Sequence, residues 1–388
     1  MTTITALETV HYRLPLIPPL SDSTHGLMTH FELVTVRLTD SDGCEGLGYT
    51  YAVNHGGSAI RALIADDLAD LLIGEDPDRI AHLWDKMWWA VHYPGRGGLA
   101  SFAFAALDIA LWDRMGKARG MPLWKLLGGH NPKVMAYVGG IDLELTLPEL
   151  MAQTDANLAK GFKAVKMKVG RDRADDLRRA GIVRSEIGDA ARLMVDANQV
   201  WDVDDAIEHV KSLAEIAPWW IEEPTSPDDV LGHARIREAV APIRVVTGEH
   251  AHNRIMFKQL LQAGAIDAAQ IDGCRLGGVN EVIAVLLLAA SFDVPVCPHA
   301  GGIGLCEHVQ HFSMFDFVAV SGSLDERMIE FADHLHEHMT QPVDVHGGRY
   351  WAPTGPGMGV GIIPESIATY AYPDGSYWSG RLENSRDR

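Results

Sequence analysis

The stretch Phe162-Lys-Ala-Val-Lys-Met-Lys-Val-Gly170 has the apolar and β-branched character of a buried strand, yet it carries lysines at 166 and 168. Side chains two residues apart in a strand point to the same face, so Lys166 and Lys168 project together. Two adjacent ammonium groups repel each other and are unfavourable to remove from water. An interior strand with this pair needs neighbouring anions or a chemical role, whereas a strand that ends in solvent needs neither.

Short apolar runs of this kind recur from about residue 134 and alternate with helical segments such as Leu147–Ala159, Asp204–Ile216 and Asn280–Ser291. The eight runs are Val134–Gly139, Ala164–Val169, Arg192–Asn198, Trp219–Pro224, Ile243–Glu249, Ala268–Asp272, Val294–His299 and Phe317–Ser321. Eight strand–helix repeats over roughly two hundred residues predict an α/β fold of the (β/α)₈ TIM-barrel type.

The first part of the chain has a different pattern. Glu32–Leu38 alternates apolar and polar residues, Asp40-Ser-Asp-Gly43 is a turn signal, and a second strand follows near Glu45–Tyr51. Residues 60–120 then show the apolar spacing of helices. We predict an α+β domain over residues 1–125, the barrel over residues 126–341, and a Gly-, Pro- and Tyr-rich C-terminal segment that packs back on the first domain, residues 342–388.

The composition of the 388-residue chain limits its partners. An apolar fraction of 47% supports a large core, and a formal charge of 33 − 52 = −19 disfavours nucleic acids and anionic membranes. The four cysteines are scattered with no CxxC pair, which is typical of reduced thiols. The stretch Met1–Glu8 lacks the pattern of a signal peptide, and the apolar run Val282–Ala290 is too short to span a bilayer. We therefore expect a cytoplasmic protein with no nucleic-acid or membrane partner.

Polar residues end six successive strands of the predicted barrel. The carboxyl ends of barrel strands meet on one face, and the active sites of such folds lie there. Because this position is polar after otherwise apolar strands, the sequence predicts a single site. Its residues are Lys166 and Lys168, Asp196 and Asn198, Glu222 and Glu223, Glu249, Asp272, and His299.

Three carboxylates in this set have the spacing of a metal site. Asp196, Glu222 and Glu249 are separated by 222 − 196 = 26 and 249 − 222 = 27 residues, one repeat each, so they converge from adjacent strands. Oxygen ligands without cysteine or histidine suit Mg²⁺. Ordinary polar strand ends, or a network of lysines and carboxylates without metal, are the alternatives. We favour a divalent cation because two lysines cannot easily neutralise these three carboxylates together with Glu223 and Asp272.

The second chemical feature is the pair Asp272 and His299, which follow adjacent strands. A carboxylate beside a histidine fixes its tautomer and raises its basicity. The pair is expected to face the two lysines across the barrel mouth, with an acid/base group on each side of a bound ligand. A histidine before the loop Ala300-Gly-Gly302 has a simpler explanation as a hydrogen-bonded structural residue, but its place in this set favours catalysis.

A series of motifs at the barrel strand ends resembles the mandelate racemase subgroup of the enolase superfamily, and the resemblance covers the chain nearly from end to end. The motifs are Lys166-Met-Lys168, Asp196-Ala-Asn198, Ile221-Glu-Glu-Pro224, Gly248-Glu249, Asp272 and His299. The resemblance implies an N-terminal capping domain completed by the C-terminal segment, and a homo-oligomer. It also implies a lysine or histidine base that works with Mg²⁺.

The resemblance further implies a role for each residue. Mg²⁺ on the three carboxylates binds the carboxylate and 2-hydroxyl of a sugar acid. Lys168, its pKa lowered by Lys166 and by partial desolvation, abstracts the α-proton, while Lys166 also holds the substrate carboxylate. His299, supported by Asp272, protonates the departing 3-hydroxyl. The product is a 2-keto-3-deoxy acid.

Narrower resemblances concern the substrate. The motifs from Gly248 onward are similar to L-fuconate dehydratases, and Glu330 matches a glutamate that lines their site; it would bind the substrate carboxylate if protonated or the sugar hydroxyls if ionised. The stretch Gly95–Ala100 resembles galactarate/talarate dehydratases, and Arg96 would meet a distal carboxylate if the cap covers the barrel mouth. We expect a hydro-lyase for an L-fuconate-like aldonate, with a diacid as the alternative. The candidate substrate contacts are Asn198, Glu330, His25, Arg96 and His250.

Three other functions remain open. A racemase or epimerase uses the same opposed lysine and histidine but returns a proton instead of losing water. A metal-dependent hydrolase on this barrel is expected to use an HxH motif in the first strand, and Ala136-Tyr-Val138 has none. A non-catalytic member of the superfamily has no need of an intact acid/base pair.

Overall fold

The computed structural model describes residues 1–130 and 133–380. The chain begins with a three-stranded antiparallel sheet of β1 (Ile4–Asp22), β2 (Gly26–Asp40) and β3 (Glu45–Val53). β2 is the central strand, and its side chains alternate between two cores. Val34 and Val36 pack into the helical layer of this domain, whereas Phe31 and Leu33 pack into a core shared with the barrel. The sheet is therefore buried on both faces and links the two parts of the molecule.

Helices cover the outer face of this sheet. They are α1 (Gly57–Ala62), α2 (Ala69–Leu72), α3 (Ile80–Val91), α4 (Leu99–Ala118) and α5 (Leu123–Leu126), with a π-helical segment at Leu63–Leu68. α4 is buried along most of its length because it lies between β3 and the barrel helix at 279–291. Asn280 of that helix donates from Nδ2 to Asp108 of α4 at 2.6 Å. Among the described residues, no helix combines the length and hydropathy needed to cross a membrane.

Gly48 of β3 is expected to be intolerant of a side chain. A Cβ atom there would lie 1.9 Å from the carbonyl oxygen of Ala106 in α4. The clash can be relieved only by moving the backbone of β3 or of α4. Gly48→Ala is therefore expected to lower the free energy of unfolding by about 3 kcal/mol, measured by urea denaturation. Gly181→Ala is the control, since its Cβ meets only Ile216 Cδ1 at 3.9 Å in a helix. Equal stability of the two variants would contradict this prediction.

Eight parallel strand positions then form a closed barrel. They are β4 (Lys133–Gly139), β5 (Ala164–Lys168), β6 (Arg192–Asp196), β7 (Trp220–Glu222), β8 (Arg244–Thr247), β9 (Ala268–Ala269), a bridge at Val296, and β10 (Ile329–Phe331). β10 pairs with β4 and closes the ring. The predicted TIM barrel with an α+β N-terminal domain is thus confirmed.

Helices surround the barrel in the order that the sequence predicts. They are α6 (Leu147–Ala159), α7 (Arg173–Ile187), α8 (Val203–Ser212), α9 (Val230–Val240), α10 (Arg254–Gln262), α11 (Val279–Ser291) and α12 (Leu305–Phe315). Several begin at a side chain that accepts a backbone N–H of the first turn, which ends the preceding loop at a defined residue. These capping residues are Asp172, Asp202, Asp229 and Asn253.

The predicted eighth strand at Phe317–Ser321 is wrong. Residues Asp316–Ser321 form a π-helical continuation of α12, and the eighth strand is β10. A short apolar run fits a buried helical turn as well as a strand, so its composition does not decide between them. The helix ends at Gly322, whose φ of 64° lies in the left-handed region that favours glycine.

The segment after the barrel returns to the N-terminal domain. A hairpin, β11 (Asp344–His346) and β12 (Arg349–Trp351), pairs with β4, and α13 (Pro364–Tyr370) follows. The backbone N–H of Tyr372 donates to the carbonyl of His11 in β1 at 2.8 Å. Trp378 Nε1 donates to the carbonyl of Arg13 at 2.9 Å. The domain limits at 125 and 341 stay predictions, and residues 381–388 lie outside the described residues.

Candidate active site

A cavity of about 240 Å³ lies between the carboxyl ends of the barrel strands and the N-terminal domain, which we call the capping domain. Its barrel wall is polar and includes Lys166, Lys168, Glu249, Arg275, His299 and Glu330. Its cap wall is largely apolar and includes Met28, Phe31, Val53 and Phe102. Asp22 and His25 add polar groups to the cap wall, so the cavity suits a ligand with an anionic or metal-binding head.

The two lysines of β5 point into this cavity beside the carboxylates of the next two strands. In the sheet register Lys168 lies opposite Asp196, which lies opposite Glu222. Lys168 Nζ is 2.6 Å from Asp196 Oδ2, and Lys166 Nζ is 2.5 Å from Glu222 Oε1 and 2.7 Å from Glu330 Oε1. Both lysines are buried, so the anions that the sequence demanded for an interior pair are present.

The predicted lowering of the Lys168 pKa is wrong for this arrangement. Burial lowers the pKa of Lys168, but attraction to Asp196 outweighs both burial and the repulsion from Lys166, so the pKa is raised. The pKa of Lys166 is raised in the same way, because Glu222 and Glu330 oppose the effect of burial. The contact with Asp196 thus stabilises the charged ammonium of Lys168.

The predicted metal ligands are surrounded by excess negative charge. On the barrel side of the cavity, six buried carboxylates lie among three permanent cations, a balance of 3 − 6 = −3, and the buried Asp22 of the cap adds a further carboxylate. The six acids are Asp196, Glu222, Glu223, Glu249, Asp272 and Glu330, and the cations are Lys166, Lys168 and Arg275. Burial first, and repulsion between neighbouring acids in addition, raise the pKa of Glu222 and of Glu249.

The donor set fits a hard divalent cation. Glu222 Oε2 is buried and has no hydrogen-bond partner, although the other oxygen of the group is paired. Asp196, Glu222 and Glu249 offer only oxygen, as Mg²⁺ prefers. Within the described residues, the three groups whose ligand atoms all lie within 4.8 Å of one another are instead Glu223, Glu249 and His250. The ion pairs with the lysines keep Asp196 and Glu222 turned toward β5. Their carboxylate oxygens are therefore not grouped as tightly with those of Glu249.

Asp272 and His299 lie together on the opposite side of the cavity from Lys168. Nδ1 of His299 is 3.2 Å from Asp272 Oδ2, and its Nε2 is 3.5 Å from Glu249 Oε2. Burial lowers the pKa of His299, but Glu249 and the hydrogen bond to Asp272 raise it to about 9. The raised pKa favours the imidazolium, which is a proton donor, whereas the backbone N–H of Gly301 points at Nε2 from 3.1 Å and favours an unprotonated nitrogen there.

Glu330 lies on β10 and contacts both Lys166 and the loop that follows His299. Its Oε2 accepts the N–H of Ala300 at 2.8 Å, and its Oε1 pairs with Lys166. Although burial raises the pKa of Glu330, Lys166 and His299 lower it to about 2. The ionised form is thus favoured, and it accepts hydrogen bonds from hydroxyl groups rather than donating one to a carboxylate.

The other predicted substrate contacts divide into two groups. His25, Asn198 and His250 line the cavity, and the rings of His25 and His250 stack with centroids 5.8 Å apart. Arg96 is exposed, its guanidinium is 3.5 Å from the carbonyl of His92, and it does not line the cavity. Its predicted contact with a distal carboxylate stays a prediction, since the loop at 95–98 turns toward His252 and leaves Arg96 outside the cavity.

Backbone strain marks the same strand ends. Asn198, Gln199 and Glu223 have φ values of 43°, 69° and 44°, which non-glycine residues rarely adopt. Asn198 lines the cavity, and the side chains of its neighbour Gln199 and of Glu223 are joined by a hydrogen bond from Nε2 to Oε1 at 2.9 Å. Such conformations persist where surrounding contacts impose them, often at functional sites.

Three residues of the site are missing from the sequence prediction. Tyr51 of the cap donates to Asp272, Arg275 lies 3.9 Å from Glu249, and Asp142 accepts the backbone N–H of Lys168 at 2.9 Å. Asp142 follows the first barrel strand, β4. Reading the residues after each strand, as for the other strands, would have identified it. Arg275 stands three residues after Asp272 in the same loop. No local signal identifies Tyr51, since its role depends on how the cap docks.

Comparisons with known proteins agree with this architecture. Residues 4–128 match the mandelate racemase / muconate lactonizing enzyme N-terminal domain, and residues 149–366 match the enolase C-terminal domain-like family. The chain is 43% identical over 370 residues to 3,6-anhydro-alpha-L-galactonate cycloisomerase from Streptomyces coelicolor, covering 95% of this chain and 99% of that protein. It is 37% identical over 430 residues to L-galactonate dehydratase from Hypocrea jecorina, covering 96% and 94%.

A solved structure extends the likeness to three dimensions. The crystal structure of a racemase from Streptomyces coelicolor A3(2) with bound magnesium has a TM-score of 0.85 and 42% identity to this chain, covering 92% of this chain and 97% of that one. Matches of this extent cover both the cap and the barrel. The chain therefore belongs to the mandelate racemase subgroup of the enolase superfamily.

Proposed function

We propose that this chain is an acid-sugar dehydratase that converts an L-fuconate-like aldonate to its 2-keto-3-deoxy acid. The observation that carries the proposal is the placement of Lys168 and the Asp272–His299 pair on opposite sides of one cavity lined by carboxylates. The similarity to an L-galactonate dehydratase supports dehydration, and the exposed position of Arg96 favours a monoacid over a diacid.

Mg²⁺ is the proposed cofactor, held by Asp196, Glu222 and Glu249. The unpartnered oxygen of Glu222 and the excess of carboxylates support it, as does the magnesium in the related racemase structure. When bound, the ion supplies Lewis-acid stabilisation of the charge that develops as the α-proton leaves.

Lys168 is the proposed base for the α-proton. Asp196 holds its ammonium at 2.6 Å, and an Asp196 shared with a divalent ion stabilises that ammonium less, so the neutral amine becomes accessible. Lys166 keeps its charge between Glu222 and Glu330 and attracts the substrate carboxylate. The unequal surroundings of the two lysines thus give them different roles.

His299 is the proposed acid for the leaving 3-hydroxyl. Asp272 accepts the Nδ1–H, and Nε2, which accepts the backbone N–H of Gly301 at 3.1 Å, faces Glu249 and the cavity. Nε2 must give up the contact with Gly301 to carry the proton that it donates. Proton transfer from Nε2 to the departing oxygen releases water, and the enol that remains becomes the 2-keto group. Ionised Glu330 accepts hydrogen bonds from the sugar hydroxyls and holds the Ala300 backbone beside His299.

A cycloisomerase is a second candidate, favoured by the 43% identity to the Streptomyces enzyme. In a 3,6-anhydro sugar acid the oxygen on C3 belongs to a ring. The same α-proton abstraction and departure of that oxygen would open the ring and leave the mass unchanged, so Lys168 and His299 serve either reaction.

The test is a panel of acid sugars incubated with the protein and Mg²⁺. The panel holds L-fuconate, L-galactonate, D-arabinonate, galactarate and a 3,6-anhydrogalactonate. A semicarbazone-forming product lighter by one water supports dehydration, and a keto product of unchanged mass from the anhydro sugar supports cycloisomerisation. Deuterium uptake at C2 with inversion and no keto product identifies an epimerase, and no reaction with Mg²⁺ bound contradicts an enzyme of this class.

Glu222→Gln is expected to raise the Mg²⁺ concentration needed for half-maximal activity by about 100-fold or more. The substitution keeps the shape of a buried side chain but removes one charged ligand. Activity after chelation with EDTA and titration with Mg²⁺ measures the effect. Glu144→Gln, at an exposed carboxylate in the loop after β4, is the matched control. An unchanged Mg²⁺ requirement in Glu222→Gln contradicts the assigned ligand.

A further inference from the structure

The capping domain contacts the acid side of the site through Tyr51 of β3. The Tyr51 hydroxyl donates a hydrogen bond to Asp272 Oδ2 at 2.5 Å, and the same oxygen lies 3.2 Å from Nδ1 of His299. Tyr51 is 4% exposed and Asp272 is 1% exposed. Solvent therefore does not readily replace this hydrogen bond if it is lost.

The Asp272 carboxylate is held by donors on both oxygens. Its Oδ1 accepts the backbone N–H groups of Cys274 at 2.9 Å and Arg275 at 3.1 Å. Its Oδ2 accepts from Tyr51 and His299. The two backbone donors belong to its own loop, and His299 is the group being oriented. Tyr51 is thus the donor that comes from outside the barrel, and it fixes the oxygen that His299 uses.

Tyr51 is itself placed rigidly. It pairs with Leu33 in the antiparallel register of β2 and β3, and its ring meets the edge of Phe31 with centroids 5.7 Å apart. A Cβ atom on Gly302 would lie 2.1 Å from the Tyr51 ring, so the loop that follows His299 is shaped around the tyrosine. Burial raises the pKa of the Tyr51 hydroxyl, which keeps it a donor.

We propose that Tyr51 is a positioning residue by which the capping domain orients Asp272 and, through it, His299 for proton donation. The inference rests on the proposed function, since it assigns a part in the second half of that reaction. It makes docking of the cap a condition for elimination and not only for substrate enclosure. Lys168, on the other side of the cavity, is independent of this contact.

The inference predicts a selective defect. Loss of the Tyr51 hydroxyl leaves Lys168 able to exchange the α-proton with solvent, while expulsion of the 3-oxygen slows because His299 is less well oriented. One hydrogen bond to a buried charged group corresponds to about a tenfold to hundredfold effect on the rate. The expected result is a lower kcat for elimination, an unchanged KM, and a raised ratio of C2 deuterium exchange to product formation.

The experiment compares Tyr51→Phe with Tyr49→Phe in the full chain with Mg²⁺ in D₂O. Tyr49 lies on the same strand, is 2% exposed, and donates from its hydroxyl to the carbonyl of Gly304 at 2.7 Å without touching Asp272. Each substitution removes one buried hydroxyl from β3, so a general loss of packing affects both. Exchange at C2 is followed by NMR and keto product by semicarbazone formation, on the acid sugar that the wild type converts.

A raised exchange-to-elimination ratio in Tyr51→Phe alone supports the inference. Equal effects of the two substitutions, a normal Tyr51→Phe, or a parallel loss of exchange and elimination overturns it. Because exchange itself requires a folded site, a Tyr51→Phe protein that does neither reaction also counts against it. If the wild type converts no member of the panel, the proposed function is contradicted. A defect that appears only in a variant instead tests the role of Tyr51.

Discussion

Lys168→Ala is expected to reduce turnover of the acid sugar by about 10⁴-fold, because it removes the proposed base for the α-proton. Formation of keto product and exchange of the C2 proton with D₂O should both disappear, since no step precedes proton abstraction. Mg²⁺ binding should persist, because Asp196, Glu222 and Glu249 remain. Steady-state rates, NMR of the exchange and calorimetric titration with Mg²⁺ measure the three properties.

Two variants control for the loss of a buried charge. Lys163→Ala lies just before the same strand but on its opposite, exposed face, and it should keep wild-type activity. Lys168→Met retains the length of the side chain without its amine, and it should behave as Lys168→Ala does. If either Lys168 variant still exchanges the α-proton at the wild-type rate, Lys168 is not the base.

The strand-end rule explains why so much of the site was visible in the sequence. In a barrel of parallel strands, every strand has its carboxyl end at the same rim. Polar residues that follow successive apolar strands therefore converge at that rim. Lys166, Lys168, Asp196 and Glu222 occupy neighbouring register positions on β5, β6 and β7, as their spacing predicted. Repeat length carries this information, and no contact between distant segments has to be guessed.

The errors share a different physical origin. The direction in which the Lys168 pKa shifts depends on the 2.6 Å separation between its Nζ and Asp196 Oδ2. The sequence shows only that two lysines are neighbours. Phe317–Ser321 is apolar enough for a strand or a helical turn, and the preceding α12 decides for the helix. Arg96 lies outside the cavity because a loop at a domain boundary turns according to its tertiary contacts, here with His252.

The capping domain shows most clearly which contacts cannot be predicted from sequence periodicity. Alternation in β2 and β3 predicted a sheet, but alternation does not state what each face will meet. The face carrying Phe31 and Leu33 packs on the barrel, and this docking brings Tyr51 to Asp272. A role that arises from the packing of two domains leaves no periodic signal in either, which is why Tyr51 was missed.

His299→Asn is expected to separate the two halves of the reaction more completely than Tyr51→Phe. The substitution removes the proposed proton donor to the leaving 3-oxygen, so elimination should fall by about 10³-fold. Lys168 remains beside Asp196, and exchange of the C2 proton with D₂O should continue. The defect is larger than that of Tyr51→Phe because the donor itself is removed rather than misoriented.

His55→Asn is the matched control, since His55 is exposed on the capping domain and does not line the cavity. It should exchange and eliminate at wild-type rates. If His299→Asn loses exchange and elimination together while Mg²⁺ still binds, then His299 rather than Lys168 takes the α-proton and the substrate presents its opposite face. If His299→Asn eliminates normally, the leaving oxygen is protonated from elsewhere in the cavity. Glu330 is a poor source of that proton, because in this variant Lys166 and the N–H of Ala300 still hold its carboxylate in the ionised form.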